Sequence, residues 1–200
     1  MILITCFFMG LFFSFIGSIP PGSINITAMQ YAVSGRKTAA LYFSLAAALT
    51  EYLYAGIAVK FQMYLTENAA ISANFQVISG LVLLTLGVVN LTRKKLPTLQ
   101  PQQKEKRNAF RKGVLISLAN PLAIPFWLAV TFYLQSIGWV NLSGNNYLVY
   151  VAGISTGTFL LLLLVIQLGA QFSSIQHNKF VIYRLPGIIF VCMGIYTFYQ

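Results

Sequence analysis

Charge is what this sequence has least of. Only 8% of its 200 residues are charged, and Asp and Glu together number three, whereas about a quarter of the residues of a soluble globular domain carry charge. With 58% apolar residues and a mean hydropathy of +0.75, that scarcity excludes water as the main solvent of the fold. The two cysteines, Cys6 and Cys192, both lie inside apolar stretches. They are too few for a disulfide framework and are expected to pack as small apolar side chains. The single histidine, His177, has no cysteine or carboxylate companions, so no metal site is expected. No apolar stretch holds a nucleophile with a base, a histidine pair or paired carboxylates, which argues against an intramembrane enzyme. No cofactor is implied.

What the chain has instead is long apolar runs. A transmembrane helix needs about 20 mostly apolar residues to cross a hydrocarbon core of about 30 Å. The runs predict spans over Ile2 to Val33, Thr38 to Val59, Ile71 to Thr92, Gly113 to Trp139, Tyr147 to Gln171 and Phe180 to Tyr199. Gly113 to Gln176 carries no charge, but Asn141, Ser143, Gly144, Asn145 and Asn146 supply a polar turn that divides it in two. The first run has no Lys or Arg before it and no small-residue cleavage site, so it is read as a span and not as a signal peptide. The expected fold is an all-α integral membrane protein of six transmembrane helices. Residues 1–92 form a first three-helix repeat, 93–112 a basic linker, and 113–200 a second repeat inverted relative to the first, because three spans is an odd number. Gly80 and Gly87 in the third span, and Gly187 and Gly194 in the sixth, are traces of that repeat. Inverted repeats are a common plan for secondary transporters.

A formal charge of +10 would suit a nucleic-acid binder if it lay on one folded face, but here it lies in loops, so no nucleic-acid partner is expected. One side receives Arg36 and Lys37, the eight Lys and Arg residues from Arg93 to Lys112, and Lys179 and Arg184, while the other receives only Lys60. An excess of Lys and Arg marks cytoplasmic loops, so the 93–112 linker is expected inside and both termini outside. A lipid-headgroup role for the linker is the secondary reading.

Two places in the spans carry chemistry. Pro20-Pro21-Gly22-Ser23 interrupts the first span. Proline removes an N–H donor and clashes with the preceding turn, while glycine loosens the backbone, so the helix should open there. Opened backbone at membrane depth survives only against protein or a water-lined cavity. Pro21, Gly22, Ser23 and Asn25 are therefore candidates for a solute site, with half-helix N–H groups available to a carboxylate. Asn120-Pro121, with Pro125 beyond, is a second break in the equivalent span, and Phe126 and Trp127 follow it as candidate pocket walls. The other place is Glu51, the one acidic residue near the middle of a span. A carboxylate at a helix centre costs about 2.5–3.5 kcal/mol on the insertion scale, so it should face the bundle, and it is the candidate for proton or cation coupling. Its helical neighbours Ser44, Ala47, Ala48 and Ala55 are small, which describes a closely packed face or a passage lining. Trp139, Tyr147 and Tyr150 read as an interfacial aromatic belt. Gly153 and Gly157 form a GxxxG pair, suited to a homodimer or to contact within one bundle.

The step Pro21-Gly22, the turn Gly35-Arg36, and the later series Phe110, Gly113, Asn120-Pro121 and Phe126-Trp127, in this order on six spans, resemble the LysE/RhtB family of bacterial amino-acid exporters. The resemblance implies a cytoplasmic-membrane transporter that moves amino acids or related small solutes outwards, commonly in exchange for protons. Some members with basic substrates carry an acidic residue at the second-span position that Glu51 resembles. The family's Pro-Gly-Pro is here Pro21-Gly22-Ser23 and the usual following Asn is displaced to Asn25, which leaves the solute open. Cation or metal exporters of the same superfamily, and a membrane scaffold built on the GxxxG pair and the basic linker, are the alternative readings. The charge bias predicts that single cysteines at Gln102 and Asn145 differ in labelling: an impermeant thiol reagent should modify Asn145→Cys in intact cells and spare Gln102→Cys.

Overall fold

A computed structural model describes residues 2–20, 22–66, 69–92, 108–120, 122–168 and 184–199, apart from the side chains of 69–73. Among these residues the chain is helical, with turns and no strand. The helices are α1 (Ile2–Gly17), α2 (Ser23–Val33), α3 (Lys37–Thr66), α4 (Ala69–Thr92), α5 (Ala109–Leu118), α6 (Ala123–Ser136), α7 (Asn146–Gln167) and α8 (Leu185–Thr197). Among the described residues three stretches are long and apolar enough to cross a membrane, Lys37–Thr66, Asn74–Thr92 and Asn146–Gln167, and the bent pair α5–α6 makes a fourth if it counts as one span. α1 and α8 are apolar but shorter. The molecule is thus an all-helical, multi-pass membrane protein.

Both proline motifs interrupt helix as expected. α1 and α2 are separate helices, and α5 and α6 meet at 65°. Other limits differ from the sequence reading. α3 runs about two turns beyond Val59, because one exposed Lys60 does not stop a helix at its water-facing end. α7 ends at Gln167 and α8 starts at Leu185. Most of the linker, and the expected span ends at Gln171 and Phe180 with His177 and Lys179 between them, lie outside the described residues.

Glycines set the helix spacing, since lipid offers no hydrophobic drive for helices to associate and close van der Waals packing must supply it. α1 lies along α7: a Cβ on Gly10 would strike the Tyr150 carbonyl oxygen, one on Gly153 that of Phe7, and one on Gly157 that of Leu11. The GxxxG pair is therefore occupied within the chain. α4 crosses α8 at two glycine pairs, Gly87 with Gly187 and Gly80 with Gly194. Gly113 of α5 sits on the Phe43 carbonyl and Ala46 of α3. α3 and α7 meet where the Ser155 hydroxyl donates to the Ala48 carbonyl at 2.7 Å. The small face around Glu51 is buried at Ser44, Ala47, Ala48 and Ala55.

The apolar interior falls into two clusters. One joins α1, α3, α4, α6, α7 and α8, around residues such as Leu83, Trp127, Leu134 and Ile154. The other joins α2, α3, α5 and α7, around Met29, Phe43, Leu162 and Val165. Tyr150 departs from the expected aromatic belt: it is fully buried, and its hydroxyl lies 3.3 Å from that of Thr131, because α7 places it against Gly10 and not at the rim. Cys6 is buried and Cys192 exposed, both as free thiols. Gly153→Ala should destabilise the protein in detergent by about 1–3 kcal/mol, since backbone must shift to admit the methyl group. Gly56→Ala, whose Cβ would meet only a Val151 methyl at 3.9 Å, should leave thermal unfolding unchanged.

Candidate functional site

The first break is held by a side chain. Gly22 is the N-cap of α2 in extended backbone (φ −99°, ψ −177°), and no side chain caps the helix. The first-turn N–H groups of α2 therefore lack both an intrahelical partner and a side-chain one. The Asn25 amide nitrogen reaches back to donate to the Ser18 carbonyl at 2.5 Å and lies 3.4 Å from that of Pro20, so Asn25 stitches the end of α1 to the start of α2.

The second break is held in the same manner. The Asn120 side-chain oxygen accepts from the Leu122 N–H at 3.3 Å, and the Tyr54 hydroxyl of α3 donates to the Leu118 carbonyl at the end of α5, at 2.5 Å. One turn before Tyr54 on the same helix, Glu51 accepts a hydrogen bond through Oε1 from the indole N–H of Trp127 on α6. α3 thus grips both arms of the fourth expected span, one with a phenol and one with a carboxyl. Trp127 is fully buried and packs edge-on against Phe126, whose ring in turn meets Phe190.

The two breaks and Glu51 line one cavity of about 220 Å³, below the roughly 300–1,000 Å³ of pockets for drug-sized ligands. Its walls include Gly22, Ser23, Asn25, Glu51, Asn120, Phe126 and Trp127, so the described residues named above as candidates for solute binding, gating or coupling lie on it. Pro21 and Pro121 fall outside the described residues. Glu51, half-buried, is the one charged side chain among the described lining residues. The sequence reading missed Ser18, Asn90, Thr158 and Phe190, which also line the cavity. Thr158 is buried, with its hydroxyl 2.8 Å from that of Ser14. Asn90 and Thr158 had a signal available, each being a polar side chain inside an apolar run. Tyr54 had none, because its role depends on where α5 stops.

The lining of α4 comes from Leu86, Val89 and Asn90, in its last two turns before the basic linker, and that of α8 from Phe190, in its second turn after Arg184. The cavity therefore draws on the end of α4 that leads into the basic linker and on the first half of α8.

Comparison with known proteins gives a consistent result. No solved structure matches the chain. Among curated proteins, the Bacillus subtilis protein named "Putative amino acid efflux protein YcgF" is 26% identical over 186 residues, which cover 91% of this chain and 88% of that one. The family described as LysE type translocator matches residues 15–200, a stretch that contains both breaks, Glu51 and every lining residue of the cavity. The chain belongs to the LysE type translocator family of membrane transport proteins.

Proposed function

We propose that this protein exports an amino acid or a related small solute across the bacterial cytoplasmic membrane, and that Glu51 couples the movement to protons. The observation that carries the proposal is a carboxyl, alone in its charge among the described lining residues, in a small cavity framed by two broken helices. The ammonium group of an amino acid would pair with Glu51, and its carboxylate would face the uncapped N-terminus of α2 at Gly22 and Ser23. A carboxyl with no cation among the described lining residues can hold either the solute's positive charge or a proton, which is the exchange an antiporter requires. The efflux function in the name of the Bacillus subtilis relative supports the same direction of transport.

The reading includes two inverted three-span repeats, 1–92 and 113–200, with both termini outside and the basic linker in the cytoplasm. Positions 107 apart support it. Gly80 and Gly187 correspond, as do Gly87 and Gly194, and the two observed glycine contacts, Gly87 with Gly187 and Gly80 with Gly194, exchange under that correspondence. Phe43 and Tyr150, also 107 apart, each offer a carbonyl to a glycine of the opposite repeat, Gly113 and Gly10. Ala48 and Ser155 correspond and touch. Glu51 and Thr158 correspond and share the cavity.

Two substitutions test the site. In Glu51→Gln, efflux of labelled amino acids driven by a pH gradient should fall about tenfold or more, and solute binding should weaken because the ammonium group loses its charged partner. Unchanged gradient-driven efflux would reduce Glu51 to a hydrogen-bond partner of Trp127, a role that Gln fills nearly as well. Gly22→Leu adds a side chain where a Cβ meets nothing within 4 Å, so it should fold and insert normally yet block efflux by filling the cavity. Normal transport by that variant would show the break to be a packing bend.

A further inference from the structure

We infer that α4 and α8 form one rigid body that swings between α6 and α2, closing the cavity at one end of the molecule as it opens it at the other. The inference rests on the transport reading above, but its structural basis is separate. α4 and α8 are zipped at both glycine pairs and by the Gln76 side-chain amide, which donates to the Thr197 carbonyl at 2.7 Å. Backbones in such contact leave no room for the two helices to slide apart independently.

Among the described residues this body packs chiefly on α6, with a smaller contact to α3. It contributes Leu83, Phe190 and Met193 to the cluster around Trp127 and Leu134, and nothing to the cluster of α2, α3, α5 and α7. Three aromatic contacts join it to α6: Phe75 with Phe132 (ring centroids 5.4 Å apart), Tyr196 with Tyr133 (6.0 Å) and Phe190 with Phe126 (5.4 Å). Towards α2 the cavity lies between them instead, with Ser23 and Asn25 on one wall and Leu86, Val89 and Asn90 on the other.

The repeat says where the body goes. Under the 107-position correspondence α4 and α8 exchange with each other, so the pair is its own counterpart, while α6, starting at Ala123, corresponds to α2, starting at Ser23, at a separation of 100 positions, because the connection from α6 to α7 is longer than that from α2 to α3. The contact of Tyr196 with Tyr133 then has as its counterpart Val89 with Val33. Both valines are exposed, 42% and 55%, and both stand on the helices that flank the cavity. Swinging the body off α6 and onto α2 brings them together, and the apolar surface lost at one contact is regained at the other.

The test uses a chain with Cys6→Ala and Cys192→Ala, reconstituted in vesicles. Tethering Phe75→Cys to Phe132→Cys with a short, reducible bifunctional thiosulfonate should lower efflux of a mixture of labelled amino acids about tenfold or more, with recovery on reduction. The same tether between Gln76→Cys and Thr197→Cys, within the body, should leave efflux unchanged. Full transport through the first tether, or arrest by the second, would overturn the inference. A measurement independent of transport accompanies it: spin labels at Val33→Cys and Val89→Cys should show two distance populations, of which the first tether removes the shorter. A single distance would exclude the swing even where efflux is normal. Absence of efflux from the untethered, reduced protein would count against the transport reading alone and leave the spin-label distances to decide the motion.

Discussion

Backbone that is opened inside a membrane has to be satisfied by the protein itself, and this requirement organises the molecule. In hydrocarbon an unpaired N–H or C=O costs several kcal/mol, so a helix can break there only if neighbours or a cavity take over. Here Asn25 closes the break between α1 and α2, Asn120 closes the turn into α6, and Tyr54 takes the last carbonyl of α5. What these side chains leave uncapped, the N-terminus of α2, points at the cavity. The site exists because the breaks are only partly repaired.

The same helix supplies both the repair and the charge. Glu51 and Tyr54 are three residues apart on α3 and reach the two arms of one bent span, α6 through Trp127 and α5 through Leu118. A change in the protonation or occupancy of Glu51 therefore acts on the hydrogen bond that positions α6, the helix on which the α4–α8 pair rests. The route from the carboxyl to the α4–α8 pair runs through Trp127, Phe126 and Phe190 in direct contact. Coupling needs a contiguous element with two arrangements, and this is the contiguous part.

Close glycine packing makes the frame stiff enough for that. α1 on α7 and α5 on α3 approach until backbone touches backbone, which fixes the walls that carry Thr158 and Glu51. Larger residues at those positions would separate the helices and dissolve the cavity's geometry.

By itself the sequence determined the solvent, the helical class, the two breaks and the lone mid-span carboxyl, because each follows from local chemistry: the length of charge-free runs, the missing N–H of proline, the cost of a buried charge. Its family resemblance rested on the same local features, and residues 15–200 match that family. It did not show that Asn25 and Asn120 are stitches as well as wall residues, that Tyr54 caps α5, or that Tyr150 is interior. Nor did it place Thr158, Asn90 and Phe190 on the cavity. Those facts depend on which helix lies against which, and in a bilayer every helix face is apolar, so hydrophobic periodicity carries little record of partners. Only the tertiary contacts, set by where glycines let backbones meet, decided them.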